Sequence, residues 1–182
     1  MEERRAKPMP DIAFKVMAFL IALHHRFINV REKLGKTGIK EGRTVLDFGC
    51  GSGHYAIAAA RMVGEKGRIY ALDIHPLAIR TVEKKAEKQG LTNVTTILSD
   101  RDTGLPGESI DVILLYDTIH MVKDKRALLE ELHRVMKSNG LLSIWVGHMK
   151  AEDVLEIVEK GGLFSLRDHY GRLFNLYKGK GG

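Results

Sequence analysis

The 182-residue sequence predicts an α/β fold: a doubly wound, mostly parallel sheet of seven strands behind an N-terminal helical segment. Three observations predict it. Short apolar segments rich in β-formers alternate with helical segments from Thr44 onward. The first strand runs into a glycine-rich loop, residues 49–53, directly before a helix. The last two strand-like segments are joined only by Gly171 and Arg172, so they must pair antiparallel as a hairpin.

The N-terminal segment is predicted to be helical over residues 11–34, in one or two pieces, with Gly35, Gly38 and Gly42 in the following loop. Its apolar run, residues 16–23, is too short to span a bilayer, which needs about 20 residues. Basic residues precede this run, but no small-residue cleavage site follows it, so we expect no export. The helix is a lid over a pocket, a cover for one sheet face or a dimer contact, and the sequence leaves all three open.

The alternating part is predicted element by element. Strands are expected at Thr44–Phe48, 68–74, Val94–Leu98, 111–116, 141–146, Phe164–Tyr170 and Leu173–Lys178. Helices are expected at His54–Val63, 76–89, 125–137 and 152–160. Pro76 suits the first position of a helix, Gly90 suits a helix end, and Asn139 with Gly140 should end the helix before the fifth strand. The fourth strand is continuously apolar, as expected of a central strand.

Composition indicates one globular domain, residues 1–182, with a helical cap (1–40) and a core (41–182). Hydrophobic residues make up 44% and charged residues 29%, which argues against disorder. The formal net charge of +6 is spread along the chain, so most of it is assigned to solvated surface. Cys50 is the single cysteine, which excludes an intramolecular disulfide, makes a metal site unexpected and favours the cytoplasm.

The glycine loop indicates a bound ligand. Gly49, Gly51 and Gly53 permit positive φ and a close approach of the ligand to the backbone. The helix that follows offers free N–H groups to an anionic group. Gly51, Gly53 and Ala56 also fit the dinucleotide spacing G-x-G-x-x-A, so a nicotinamide-dependent oxidoreductase stays open at this point.

Acidic residues follow each of the first three strands. Asp47 precedes the glycine loop, Asp73 ends the second strand and Asp100 follows the third. A carboxylate at Asp73 can accept hydrogen bonds from both hydroxyls of a ribose, or it can cap the next helix. In open α/β sheets, ligands bind at the carboxyl ends of the strands, so three carboxylates at this edge favour an adenosine ligand.

Together these residues resemble the class I S-adenosylmethionine-dependent methyltransferases, which have a Rossmann-like sheet, and especially the group that includes quinone-biosynthesis methylases. The matching features are residues 47–53, Asp73, Asp100 with Leu105-Pro106, residues 111–120, and residues 132–137 followed by Gly140. The resemblance covers about residues 44–146. It implies that residues 41–182 form a cofactor-binding core for S-adenosyl-L-methionine, with S-adenosyl-L-homocysteine as product. Ser138-Asn139 replaces the usual Pro-Gly, and asparagine tolerates a left-handed turn there.

The resemblance also implies which residues bind the cofactor. The methionine part would be held by the loop residues Gly49, Cys50, Gly51 and Gly53. Asp47 would bind its amino group directly or through water, and Tyr116 would line the same side of the pocket. The adenosine part would be held by Asp73 at the ribose, Ile74 against the adenine, and Asp100 at the adenine amino group with the Arg101 backbone.

Candidate catalytic residues follow the fourth strand. Methyl transfer is an in-line displacement, so the protein must align the acceptor, exclude water and, for some acceptors, remove a proton. His120 is the first candidate for a general base because histidine titrates near neutrality. Asp117 and His148 are expected near the same rim. Tyr116 either faces the sulfonium through a cation–π contact or simply packs at the strand end.

The predicted function is methyl transfer to a small molecule, because the insertions that build large substrate sites are missing. RNA methylation is one alternative, in view of the basic charge. Against it, residues 116–119 replace the Asn/Asp-Pro-Pro-aromatic motif of enzymes that methylate amino groups of nucleic acids. A non-catalytic S-adenosylmethionine-binding protein is the other alternative. A monomer or a homodimer is expected.

Overall fold

A computed structural model describes residues 7–25, 29–147 and 149–179. Across these residues, seven strands form one sheet in the order β3-β2-β1-β4-β5-β7-β6. The strands are β1 (Thr44–Phe48), β2 (Arg68–Asp73), β3 (Val94–Leu98), β4 (Ile110–Tyr116), β5 (Met136–Trp145), β6 (Phe164–Tyr170) and β7 (Leu173–Lys178). The α-helices are α1 (Asp11–His25), α2 (Val30–Gly35), α3 (His54–Val63), α4 (Pro76–Lys88), α5 (Lys125–Val135) and α6 (Ala151–Glu159), with a 3-10 helix at Ile119–Met121.

The strand pairing confirms a mostly parallel sheet that ends in an antiparallel hairpin. Strand β1 lies parallel to β2 and β4, and the pairs β2–β3 and β4–β5 are also parallel. Strand β7 runs antiparallel to β6, as the short link at Gly171 and Arg172 requires, and it is also antiparallel to β5. The C-terminal chain therefore extends the sheet beyond β5.

Helices cover both faces of the sheet, and the alternation along β4 shows how. Leu115 packs in a cluster with Leu128 of α5 and Val154 of α6. Leu114, one residue earlier, points to the other face and packs in a cluster with Leu34 of α2 and Ala56 of α3. Every residue of β4 is buried, which agrees with its prediction as a central strand.

The N-terminal segment forms two helices, α1 and α2, and not one continuous helix. Helix α2 begins after Asn29, whose side chain accepts a hydrogen bond from the backbone N–H of Glu32 at 3.0 Å. In α1, Phe14 is buried, whereas Ile12, Val16 and Phe19 are exposed. Over the described residues, no helix is long and apolar enough to cross a membrane.

The boundary between α5 and β5 differs from the prediction. Helix α5 ends at Val135, and β5 begins at Met136 instead of residue 141. Met136 pairs with Ile110, and the Lys137 ammonium lies 3.0 Å from the Asp111 carboxylate, so contacts with β4 hold this segment extended. The left-handed turn expected at Asn139 is wrong, because this residue lies within β5.

Candidate active site

The carboxyl edge of the sheet forms the candidate site. Strand β1 lies between β2 and β4, so the order in which strands are added reverses at β1 and β4. Open α/β sheets bind their ligands at such a switch point. The glycine loop follows β1 at this position, and the residues predicted to bind the cofactor follow β1, β2 and β3.

Each glycine of the loop has a positive φ, and two of them are required by packing. A Cβ at Gly49 would overlap the Thr118 side chain, and one at Gly53 would lie 2.7 Å from Cγ2 of Val82. Gly51 differs, because a Cβ there would meet no atom within 4 Å. The loop therefore packs tightly at both ends and borders open space in the middle, which fits the close approach of a ligand.

Backbone hydrogen bonds hold the loop against β2. The N–H groups of Gly49 and Cys50 both donate to the Leu72 carbonyl, at 2.8 and 2.9 Å. The Cys50 side chain packs in the cluster beneath α2 and α3, and burial raises the pKa of its thiol well above the ordinary value. Cys50 therefore supports the loop as an apolar, protonated side chain.

Asp47 is buried in β1 beneath the loop. It accepts a hydrogen bond from the backbone N–H of Ala56, whereas its Oδ2 atom meets no hydrogen-bond partner among the described residues. Burial, and to a smaller extent the charge of Asp73, raise the pKa of Asp47 to about 7. A buried oxygen without a partner costs about 1–3 kcal/mol. The amino group of S-adenosylmethionine would supply that partner, so Asp47 fits its predicted role.

Asp73, the last residue of β2, binds the glycine loop. One carboxylate oxygen accepts from the Gly51 N–H and the other from the His75 N–H, both at 2.8 Å. Burial raises the pKa of Asp73, and these two N–H groups offset part of that rise. Each oxygen retains a lone pair for a ribose hydroxyl. Helix α4 is capped by His75, whose Nδ1 accepts from the Leu77 N–H at 3.2 Å.

The residues predicted to hold adenine lie beyond β2 and β3. Ile74 directly follows β2, and Asp100 lies two residues after the end of β3; both are half-buried. The Arg101 N–H donates to Oγ of Ser99 at 3.3 Å, and its guanidinium lies 3.8 Å from the Asp124 carboxylate. The three side chains occupy the predicted edge, and their roles toward adenine stay predictions.

Two of the catalytic candidates meet at the ends of β4 and β5. Tyr116 is buried, with its hydroxyl 3.2 Å from Oγ of Ser143, and burial raises its pKa above the ordinary value. Asp117 has a φ of 50°, and its Oδ1 accepts from the Gly147 N–H at 2.7 Å. The turn after β4 is thus fixed to the end of β5.

The structure describes one of the two histidine candidates. His120 lies exposed in the 3-10 helix, three residues beyond Asp117. His148 lies outside the described residues. Within the described ranges, no group of three or more His, Cys, Asp or Glu side chains is arranged to hold a metal ion.

Sequence reasoning missed a lysine at this edge. The Lys33 ammonium donates to the Tyr55 hydroxyl at 2.9 Å and lies 3.7 Å from the centroid of the Trp145 ring. It lies 5.2 Å from the ring centroids of both Tyr55 and Tyr116. Burial lowers the pKa of Lys33 to about 8, although the charge of Asp117 raises it. These four residues, Lys33, Tyr55, Tyr116 and Trp145, are called the lysine cage below.

Comparison with known proteins identifies the family. Residues 39–166 match the family described as a methyltransferase domain. The chain belongs to this family. The methyltransferase domain also has a close structural counterpart: a SAM-dependent methyltransferase from Aquifex aeolicus superposes with a TM-score of 0.79 at 28% identity, over 94% of this chain and 98% of that one. The fold is that of the class I methyltransferases, and this decides against the nicotinamide alternative.

Curated relatives of the methyltransferase domain include enzymes of quinone synthesis. It is 32% identical over 136 residues to a ubiquinone/menaquinone biosynthesis C-methyltransferase from Hydrogenovibrio crunogenus, covering 74% of this chain and 52% of that one. It is 30% identical over 112 residues to a demethylmenaquinone methyltransferase from Geobacillus stearothermophilus, covering 61% of this chain and 48% of that one. The chain spans about half the length of these curated relatives.

Proposed function

We propose that this protein transfers a methyl group from S-adenosyl-L-methionine to a small-molecule acceptor. The observation that carries the proposal is the buried Asp47 carboxylate, whose Oδ2 atom meets no partner among the described residues, beneath a loop that borders open space at Gly51. A cationic ligand group at this point would stabilise the carboxylate. Family membership and the Aquifex aeolicus structure support the same cofactor.

The cofactor's two ends would be held by different strands. Asp47 would bind the amino group and the loop backbone the rest of the methionine part, whereas Asp73 would bind the ribose. Ile74, Asp100 and the Arg101 backbone would bind the adenine. We propose a cofactor-binding core at residues 41–182 with the N-terminal cap at residues 1–40, and a monomer or homodimer in the cytoplasm.

The remaining residues of the site would serve the acceptor. When bound, S-adenosyl-L-methionine supplies a methyl group on a sulfonium, already activated for displacement. Tyr116, buried and hydrogen-bonded to Ser143, presents a fixed aromatic wall at the end of β4. His120 is proposed to accept the acceptor's proton and, being exposed, to pass it to water, and Asp117 is the second candidate for this base. The two quinone-pathway relatives support a small molecule as acceptor.

Calorimetric titration with S-adenosyl-L-homocysteine tests the proposal. The wild-type protein should bind it, and Asp73→Asn should weaken binding about 100-fold, because two hydrogen bonds to a charged group are worth roughly 3 kcal/mol. Asparagine keeps an acceptor for the loop, so the fold should persist, as circular dichroism would check.

The matched control is Asp102→Asn, since Asp102 is an exposed acid beside the same edge. It should leave the affinity unchanged. No heat of binding with either S-adenosyl-L-homocysteine or S-adenosyl-L-methionine would contradict the proposal. Screening acceptor pools for S-adenosyl-L-homocysteine formation would then separate an enzyme from a binding protein.

A further inference from the structure

The lysine cage holds a charge in partly apolar surroundings. Three aromatic rings face the Lys33 ammonium, and the Tyr55 hydroxyl accepts one of its three N–H groups. The rings attract the cation but accept hydrogen bonds poorly. The nearby Asp117 carboxylate already accepts the Gly147 N–H. An anionic oxygen from a ligand would give this ammonium a stronger partner than the neutral Tyr55 hydroxyl.

A cavity of about 210 Å³ opens beside the cage. Its lining residues are Asn29, Glu32, Lys33, Lys36, Trp145, Tyr170 and Leu173. This volume exceeds the roughly 150 Å³ of a cavity that accommodates benzene, so the space is large enough for a substituted aromatic ring. Trp145, Tyr170 and Leu173 supply aromatic and apolar walls, and the polar groups lie on the side of α2.

The charge of the cavity favours an anion. Two ammonium groups line it, and the Lys36 ammonium pairs with the Glu32 carboxylate at 3.4 Å, so the lining has one net positive charge, on Lys33, and the nearest acid that acts on Lys33, Asp117, lies outside the lining. A cationic ligand in this space would lie next to two like charges. A neutral ligand would offer the Lys33 ammonium no charged group inside the cavity.

The cavity also lies on the correct half of the sheet for an acceptor. Asp73 and Asp100 follow β2 and β3, on one side of β1. Tyr116 and Trp145 end β4 and β5, on the other side of β1. The residues proposed to hold adenosine and the cavity therefore occupy opposite halves of one edge, with the glycine loop between them.

We infer that this cavity binds the methyl acceptor, and that the acceptor carries an anionic oxygen (a carboxylate, phenolate or enolate) on an aromatic or apolar body. Lys33 binds the anionic oxygen, and Trp145 and Tyr170 contact the body. Lys33 is thus the residue that selects the acceptor by charge. This inference rests on the proposed function for the identity of the ligand as acceptor, but the cavity's preference for an anion is tested without catalysis.

Trp145 is the single tryptophan of the chain, so its fluorescence reports on the cavity directly. The probe is 4-nitrobenzoate, an aromatic carboxylate that quenches tryptophan, compared with the neutral 4-nitrobenzyl alcohol and the cationic 4-nitrobenzylammonium. Quenching by the carboxylate should saturate. The affinities of the other two probes should be at least about 10-fold lower, which corresponds to about 1.4 kcal/mol. Lys33→Met should lower the affinity for the carboxylate probe by a similar factor, since methionine retains an apolar chain without the charge.

The matched control is Lys40→Met, which removes an exposed lysine outside the cavity and should leave the affinity unchanged. Equal binding of the neutral or cationic probe, unsaturable quenching, or an unchanged affinity in Lys33→Met would overturn the inference. A thermal unfolding midpoint near that of the wild type verifies that each variant is folded.

Titration with S-adenosyl-L-homocysteine separates this inference from the proposed function. Wild-type protein and Lys33→Met should bind it equally, because Lys33 lies on the half of the edge away from Asp73. Probe binding without S-adenosyl-L-homocysteine binding would contradict the proposed function and leave the anion site standing. The opposite result would contradict the anion site alone.

Discussion

At the scale of single residues, two buried carboxylates dominate the candidate site. Asp73 has backbone N–H partners on both oxygens, whereas Asp47 has an Oδ2 atom without a partner among the described residues. The two respond differently to a ligand. Asp73 is already held in place by the loop that it would serve, and Asp47 is destabilised until a cation approaches it.

Asp47→Asn should change how stability depends on pH. The pKa of Asp47 is about 7 in the folded protein, above its ordinary value of 3.8, so the folded state binds this proton more tightly than the unfolded chain. The free energy of unfolding of the wild type should therefore fall as pH rises from about 4 to 7, by up to about 4 kcal/mol from this group. Urea denaturation at pH 4.5, 6 and 8 measures this free energy of unfolding.

The asparagine variant cannot titrate, so its unfolding free energy relative to the wild type should increase with pH and level off above pH 7. Asp102→Asn, at an exposed acid, should show the wild-type profile. Parallel pH profiles for the wild type and Asp47→Asn would contradict the raised pKa.

Some of these residues were predictable and others were not, for a physical reason. The glycine loop, Asp47 and Asp73 are local signals, because strand, loop and helix follow one another in sequence. Lys33 and Trp145 lie 112 positions apart, and only the packing of α2 against the end of β5 brings them together. His75 was missed as the cap of α4 because a histidine imidazole is an uncommon capping group.

At the scale of elements, α1 depends on a small number of contacts. Phe14 is 4% exposed and stacks on the His75 ring, with centroids 4.3 Å apart. Nε2 of His75 lies 3.0 Å from the Met9 carbonyl, just before the helix. Because Nδ1 of the same ring accepts from Leu77, Nε2 carries the proton and donates it to Met9. His75 therefore links α1 to the end of β2, because its own backbone N–H donates to the Asp73 carboxylate.

Phe14→Ala should release α1 while the sheet stays folded. Loss of the stacked ring removes the buried anchor of this helix, and a buried Phe→Ala change costs about 3–5 kcal/mol. Hydrogen exchange should show α1 amides exchanging at least about 10-fold faster, with β4 amides unchanged. Phe19→Ala is the matched control because Phe19 is 69% exposed. Equal exchange in the two variants would show that Phe14 does not anchor the helix.

At the scale of the whole molecule, the two edges of the sheet differ in purpose. At the amino edge, the Asp111 carboxylate accepts from the Thr44 N–H at 2.9 Å, from Arg43 at 2.7 Å and from Lys137 at 3.0 Å. Burial raises the pKa of Asp111, but these three donors together bring it below its ordinary value. Strands β1, β4 and β5 are thus joined by the Asp111 carboxylate at the edge away from the candidate site.

The absence of a side chain at Gly49 makes the two halves of the functional edge interdependent. Because the position of its Cβ is occupied by Thr118, the loop after β1 and the turn after β4 touch without intervening space. Whatever reshapes one loop must displace the other, so the two ligands should show cooperativity. S-adenosyl-L-homocysteine should raise the affinity for 4-nitrobenzoate by the same factor by which 4-nitrobenzoate raises the affinity for S-adenosyl-L-homocysteine. Thr118→Ala should bring that factor toward one. A factor of one in the wild type would mean that the ligands bind independently.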